Sequence, residues 1–152
     1  MRRLTPLSTK IKKRLVKAPR MYVRDSGITH ALLGLTDYNQ LAGHPVFGMS
    51  WEGFVIENIV ASAPDAQVSF YRTAAGAEID LILELPDGKV WAIEIKSGVV
   101  PKLEKGFYNA IEDVKPDRCF VVYAGLARYF ITEKIEAISL MGLVEELGLL
   151  GV

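Results

Sequence analysis

The chain has 152 residues, a length that predicts one domain large enough to bury a hydrophobic core. Half of the residues are hydrophobic, which excludes a disordered chain, and the single cysteine, Cys119, excludes an internal disulfide and a cysteine-based zinc cluster. The 18 basic groups balance 18 acidic groups, and no stretch has the length of a membrane helix or the pattern of a signal peptide, so a cytoplasmic protein without membrane contact is expected.

The basic groups are concentrated at the N-terminus. Residues 1–24 hold nine of them and no acidic group, which leaves an acidic body. We interpret residues 1–20 as a basic linker or arm and residues 21–152 as the folded domain. Such an arm can bind nucleic-acid phosphate, most directly through Lys10, Lys12, Lys13 and Arg14. The alternative is a solvated linker that follows an upstream domain.

The first half of the domain is predicted to contain a short strand at residues 21–24, a short helix at 27–35 and a loop at 36–48. Ser50 is a suitable N-cap for a helix from Trp51 to about Ala63. On this helix Glu57 shares a face with the small residues Gly53 and Ala61, so a ligand could approach its carboxylate closely. The alternative for Glu57 is an ordinary exposed glutamate.

A hairpin is predicted after a strand at residues 67–72. The apolar runs 79–85 and 90–96 flank Pro86-Asp87-Gly88, a combination that favours a type I turn followed by a left-handed glycine. In this register Leu85 faces Lys89 and Asp80 faces Glu94. Period-two alternation then places three charged side chains on one wet face of the sheet: Asp80, Glu94 and Lys96. The other face is predicted to be an apolar layer of Ile79, Leu81, Leu83, Leu85, Trp91, Ile93 and Ile95.

Three charged groups inside two buried strands need a partner, because isolated buried charges are costly. Two adjacent carboxylates form a hard-oxygen site suited to Mg²⁺ or Mn²⁺. The neighbouring Lys96 can orient a water molecule or stabilise charge on a phosphate. The alternative is a buried structural triad of ions without a metal.

The second half is predicted to hold a helix at residues 101–114, ended by Pro116, and a buried strand at 119–123. A strand pair at 129–131 and 135–139 and a last helix at 141–149 follow. The resulting order around the hairpin is helix, three strands, helix and strand. This order predicts an α/β fold with a mixed sheet flanked by helices, the arrangement of the restriction-endonuclease-like core.

The pattern Asp80, then Glu94-x-Lys96, on a hairpin resembles the PD-(D/E)xK nuclease signature, although Ile79 stands where the signature has proline. A wider resemblance covers roughly residues 1–140. It is carried by the segments 17–27, 51–58, 70–73, 76–80 and 92–97. These segments resemble the nuclease-like C-terminal domain of unknown function that follows the ATPase core of many prokaryotic AAA+-type ATPases.

The resemblance implies a metal-dependent nuclease module that acts on nucleic acid, with DNA as the expected partner. Asp80, Glu94 and Glu57 would hold Mg²⁺ or Mn²⁺, Lys96 would position the attacking water, and Arg72 could grip a phosphate. No phosphate-binding loop occurs in the sequence, so no ATP site is expected here and an upstream ATPase domain is the implied partner. The alternative function is a nuclease-like fold that binds nucleic acid or protein and cleaves little or nothing.

Overall fold

The computed structural model describes residues 2–7, 19–22 and 46–151, and of Tyr22 and residues 46–50 only the main chain. The predicted helix at 27–35 and most of the predicted loop at 36–48 lie outside the described residues. Within the described part the elements are β1 (Arg2–Pro6), β2 (Arg20–Tyr22), α1 (Val46–Ser62), β3 (Gln67–Arg72), β4 (Glu78–Glu84), β5 (Val90–Ile95), α2 (Lys105–Val114), β6 (Arg118–Tyr123), β7 (Tyr129–Phe130), β8 (Ile135–Ser139) and α3 (Leu140–Leu150).

The described strands form one mixed sheet in the order β2-β1-β3-β4-β5-β6-β8-β7. The neighbours β3, β4 and β5 are antiparallel, whereas β5, β6 and β8 run parallel to one another. The predicted α/β class with a mixed sheet is therefore confirmed. No helix among the described residues is long and apolar enough to cross a membrane.

The β4–β5 hairpin has the predicted register. Leu85 N–H donates to Lys89 O at 2.8 Å, and Leu83 faces Trp91. The turn between them is built as its residues predict: Gly88 N–H donates to Leu85 O at 2.9 Å, and Gly88 itself has a φ of +89°. A left-handed glycine after a type I turn gives the three-residue loop with a bulge that twists with the strands.

A β-bulge in β4 changes the predicted distribution of side chains. Ser69 of β3 faces Ile82, but Tyr71 faces Ile79, so β4 has one extra residue between these pairs. Because a bulge shifts the alternation, Ile79 joins the cluster of Ile82 and α2 instead of the cluster of Leu81. The prediction that Ile79 belongs to the same apolar layer as Leu81 was therefore wrong.

Both faces of the β4–β5 hairpin are covered by buried apolar side chains. The prediction of one solvated face and one apolar face was therefore wrong. Helices α1 and α3 pack on the face of Leu81 and Ile93, and α2 packs on the face of Ile82 and Ala92. A strand inside a sheet with parallel neighbours is usually covered on both sides. The three charged residues of the predicted site, Asp80, Glu94 and Lys96, consequently lie at the end of the two strands that is remote from the turn.

The helices differ from their predicted bounds at the N-terminal ends. Helix α1 begins at Val46, so Ser50 lies inside it and is not its N-cap. Helix α2 begins at Lys105, four residues after Pro101. Helix α3 follows β8 directly, with the Ser139 hydroxyl accepting from Gly142 N–H at 3.0 Å as an N-cap.

The N-terminal segment contains a strand where a linker was predicted. β1 pairs antiparallel with β2 and parallel with β3, where Thr5 faces Ser69. Leu4 is fully buried and contributes to the core of the α1 face. Leu7 is buried against the opposite cluster. Residues 2–7 are thus part of the folded body, because their apolar side chains fill both layers beside β3.

Four ionic side chains connect the other end of the sheet to α3. Arg118 donates to Glu146 at 2.7 Å and lies 3.4 Å from Glu136, and Arg128 pairs with both glutamates. The guanidinium of Arg118 also covers the ring of Trp91, with 5.1 Å between its central carbon and the ring centroid. This network holds α3 over β6 and β8.

Candidate functional site

The candidate site lies where β4 and β5 separate. The β4–β5 pairs run from Glu84 and Val90 to Leu81 and Ile93. In a continued ladder the next hydrogen-bonded pair would be Ile79 and Ile95. Instead, Ile95 N–H donates to the side-chain Oδ2 of Asp80 at 2.9 Å. β4 stays paired with β3 beyond this point, so a gap opens between β4 and β5.

Asp80 and Glu94 form a carboxyl pair in this gap. Their side chains lie within hydrogen-bonding reach of each other, as the register predicted. Glu94 is only 7% exposed, and its Oε1 is buried without a hydrogen-bond partner. Burial raises the pKa of Glu94 far above its ordinary range, and the adjacent Asp80 raises it further. Without a cation, Glu94 is therefore expected to stay protonated at neutral pH.

Lys96 is held beside this pair by its main chain. Its N–H donates to Val122 O on β6 at 2.8 Å, and its carbonyl oxygen accepts from the Trp51 indole Nε1 on α1 at 2.8 Å. The ammonium group acts on the pair, because its positive charge lowers the pKa of Glu94 against the larger effect of burial. The structure thus brings Asp80, Glu94 and Lys96 together, three of the four predicted catalytic residues.

Arg20 of β2 also reaches this site, which the sequence did not indicate. Its Nη2 donates to Glu52 of α1 at 2.8 Å, and its Nη1 lies 3.6 Å from Asp80 Oδ1 and 3.9 Å from Glu78 Oε1. The guanidinium lies over the Phe70 ring at 5.5 Å from the centroid. One arginine therefore joins the acidic groups of α1 and β4.

Glu57, the predicted third metal ligand, is engaged elsewhere. It forms a two-pronged ion pair with Arg2 of β1, in which Nε and Nη2 of the arginine both donate, the second at 3.1 Å. Among the residues that the structure describes, no three carboxylate, imidazole or thiol groups are arranged to hold a metal ion. The oxygen chemistry of Asp80 and Glu94 fits Mg²⁺ or Mn²⁺, but the observed position of Glu57 does not complete the set.

The predicted nucleic-acid contacts divide into two groups. Arg72 is half-exposed at the end of β3 and pairs with Glu78 at 3.4 Å, so it lies at the rim of the site. The basic side chains of Lys10, Lys12, Lys13 and Arg14 lie outside the described residues. Their contact with nucleic acid stays a prediction.

The residues that sequence reasoning missed are Arg2, Arg20, Trp51 and Glu52. Arg2 lies in the basic N-terminal segment, where nothing distinguishes it from its neighbours. Arg20, Trp51 and Glu52 belong to the segments 17–27 and 51–58 of the family resemblance, and this was the one signal that could have marked them. Their roles depend on pairing between distant parts of the chain, since Arg20 and Glu52 are 32 positions apart.

Comparison with known proteins gives one matching family and two relatives. Residues 47–143 match the family described as "Domain of unknown function (DUF4143)". The uncharacterized protein Rv2008c of Mycobacterium tuberculosis is 36% identical over 138 residues, which is 91% of this chain and 31% of that protein. The uncharacterized protein Mb2031c of Mycobacterium bovis has the same identity and coverage. The chain thus spans 31% of the length of these relatives. No solved structure matches the chain significantly.

Proposed function

The chain belongs to this family of unknown function (DUF4143), and from that premise we propose that it is a nuclease-like domain that uses a divalent metal ion on nucleic-acid phosphodiesters. Its fold would be the restriction-endonuclease-like core, formed by α1, β3, β4, β5, α2 and β6. This order of helix, three strands, helix and strand supports the proposal. The proposal also includes an AAA+-type ATPase as the partner of the domain, which the sequence resemblance implies and for which the greater length of the relatives leaves room.

The single observation that carries the proposal is the contact of Asp80 with Glu94 beside Lys96. A buried carboxyl with an oxygen that lacks a hydrogen bond is an unfavourable arrangement unless a cation or a proton compensates it. The pair is found where β4 and β5 separate, at the carboxyl end of β5. Ligands in open α/β sheets are usually bound at the carboxyl ends of the strands.

Each residue has a separate role in this proposal. Asp80 and Glu94 would hold Mg²⁺ or Mn²⁺, which when bound supplies Lewis-acid stabilisation of the phosphate charge. Lys96 would orient a water molecule toward the phosphorus. The hydrogen bonds of its main chain to Trp51 and Val122 hold Lys96 in place. Arg72 at the rim would donate to a flanking phosphate. Glu57 would join the metal ligands only after leaving Arg2.

A second candidate function is a binding module with the same fold and no cleavage. The specific observation in its favour is that arginines already neutralise Glu57 and Asp80. When arginines of the protein itself compensate the charge of these carboxylates, a metal ion is needed less. In this alternative the nucleic acid or protein partner is bound by the surface, and the carboxyl pair has only a structural role.

Thermal melting with and without Mg²⁺ or Mn²⁺, together with cleavage assays on plasmid and single-stranded DNA, tests the proposal. The wild type should gain melting temperature with the metal and cleave DNA. Asp80→Asn should lose both effects because a ligand is removed. Lys96→Ala should keep the metal-dependent shift and lose cleavage.

Glu84→Gln is a matched control, because Glu84 lies on the same strand at the end remote from the site. It should behave like the wild type in both assays. A wild type that shows no metal-dependent shift and no cleavage would reject the nuclease proposal and favour the binding module. Metal binding without cleavage would leave the metal site in place and remove the hydrolytic role.

A further inference from the structure

We propose that Arg20 is a built-in cation of the acidic site, and that the N-terminal strand pair formed by β1 and β2 competes with divalent metal for it. This inference rests on the metal site proposed above. It adds a control element to that site: the metal-free arrangement is closed by arginines, and metal binding requires Arg20 to withdraw from Asp80.

Arg20 already supplies positive charge to the acidic groups of the site. Arg20 lies within ion-pair distance of Glu52, Asp80 and Glu78, and its side chain is only 22% exposed. Such a guanidinium gives the acidic groups the charge compensation that a metal ion would otherwise give. Two cations this close in a partly buried site repel each other strongly, because screening by water is weak there.

The same strand pair also neutralises Glu57, the other predicted metal ligand. Arg2 of β1 holds both carboxylate oxygens of Glu57, and β1 pairs with β2 through Arg2 facing Tyr22 and Leu4 facing Arg20. Arginine is well suited to bidentate contact with a carboxylate. One structural unit therefore occupies ligands on both α1 and β4.

β2 is held in the described sheet by few main-chain pairings. β2 is the outermost strand of the described sheet and has three residues. In the described part of the chain it pairs with β1 alone, and Met21 is half-exposed. A short strand at the edge makes few main-chain pairings, and such elements open at low free energy. Withdrawal of Arg20 thus leaves β3, β4 and β5 in place.

The decisive experiment compares Mn²⁺ affinity, measured by calorimetry, in the wild type and Arg20→Gln. Removal of the competing charge should tighten Mn²⁺ binding by about tenfold or more. Arg3→Gln is the control, because Arg3 is exposed on the same strand pair and should leave the affinity unchanged. Asp80→Asn in the Arg20→Gln background should abolish the binding and locate it at this site.

A second measurement uses the wild type, so that it does not depend on the folding of a variant. Coupling between two sites is reciprocal, so saturating Mn²⁺ should accelerate amide hydrogen exchange in β2 and leave β5 protected. If Arg20→Gln does not fold, this result decides the question, and unchanged exchange in β2 overturns the inference.

The outcomes separate the inference from the proposed function. Equal Mn²⁺ affinity in wild type and Arg20→Gln, with loss in Asp80→Asn, overturns the competition and keeps the metal site. Absence of Mn²⁺ binding sensitive to Asp80 in both proteins overturns the competition and the metal-dependent function together.

Discussion

The main-chain N–H of Ile95 donates a hydrogen bond of 2.9 Å to the side-chain carboxylate of Asp80. This carboxylate takes the place of a main-chain acceptor on β4. The carboxylate satisfies an N–H group that the departing β4 main chain no longer reaches. Asp80 consequently has a structural role as well as an electrostatic one. Asparagine can retain the acceptor, whereas alanine leaves a buried donor unsatisfied, so Asp80→Asn is the appropriate variant for the metal assays.

The first prediction concerns Glu94 and alkaline pH. Because the native pKa of Glu94 is raised above its unfolded value, stability is highest below about pH 4.3 for this group and is lost as pH rises through the native pKa. Glu94→Gln imitates the protonated form. At pH 8 without metal we expect it to exceed the wild type in unfolding free energy by about 1–3 kcal/mol.

Urea unfolding at several pH values in the presence of a chelator measures this effect. The wild type should lose stability between about pH 5 and the native pKa of Glu94, about 10. The unfolding free energy of Glu94→Gln should change less over this range. Glu84→Gln, on the same hairpin but partly exposed, should follow the wild type. Parallel curves for wild type and Glu94→Gln would show that Glu94 is ionised without penalty in the native protein.

The second prediction concerns Glu146 and acid pH. The hydrogen bond from Arg118 lowers the pKa of Glu146, and Arg128 adds to the effect. A lowered native pKa gives stability that is present above the unfolded pKa and lost as pH falls through the native value. Glu146→Gln should thus be less stable than the wild type at pH 7, by no more than about 1 kcal/mol because the pair is partly exposed.

The same difference should shrink toward zero between about pH 5 and pH 3, when the wild-type carboxylate is protonated. Urea unfolding across this range measures it. Glu145→Gln is the control, since Glu145 is the exposed neighbour on α3. A difference that persists unchanged at pH 3 would assign the effect to packing rather than charge.

The third prediction concerns two glycines in helices. A Cβ on Gly106 of α2 would overlap the main-chain oxygen of Gly76, which cannot move as a flexible side chain can. We expect Gly106→Ala to lower the unfolding free energy by about 1–3 kcal/mol. Gly148 of α3 has nothing within 4 Å of such a Cβ. Gly148→Ala should raise the unfolding free energy by up to about 1 kcal/mol, through helix propensity.

Thermal or urea unfolding of these two variants provides an internal comparison, because the same chemical change is made in two helices. Opposite signs are expected. Stabilisation by both substitutions would show that α2 can shift away from the turn at Gly76.

The fourth prediction concerns the basic N-terminal segment. Deleting it would remove Leu4 from the core, so substitution is the better test. The variant replaces four basic residues by glutamine: Lys10, Lys12, Lys13 and Arg14. If all four contact phosphates of duplex DNA, the slope of log affinity against log salt should become shallower by about 3–4 units.

Fluorescence anisotropy with a labelled duplex across a salt series measures this slope. The control variant carries the same number of neutral substitutions at exposed lysines of the body: Lys89, Lys102, Lys115 and Lys134. An unchanged slope in the N-terminal variant would show that these four residues do not contact the DNA phosphates.

The sequence was informative where local chemistry determines the geometry. The turn at Pro86-Asp87-Gly88 fixes the hairpin register as far as Leu81 and Ile93, and the next residues along the two strands are Asp80 and Glu94, whose side chains meet. The face of Ile79 could not be predicted in this way. It depends on a bulge opposite Phe70 of β3, which is a property of two strands rather than one.

The N-terminal part of the site was not predictable for a related reason. Arg2 reaches Glu57 across 55 residues of sequence, and Arg20 reaches Glu52 across 32. Neither arginine has a local pattern that sets it apart from the basic residues around it. Their positions follow from the pairing of β1 with β3, which no periodicity in residues 1–24 indicates.

That parallel pairing also has a consequence for how the chain folds. Strands β3, β4 and β5 are joined by short turns and meet after little loss of chain entropy, whereas Thr5 must find Ser69 from a distant part of the sequence. Closing the longer loop is the slower search. We expect the three-stranded meander to form in the transition state and β1 to dock late. Substitutions at Leu4 should then accelerate unfolding and leave the refolding rate nearly unchanged.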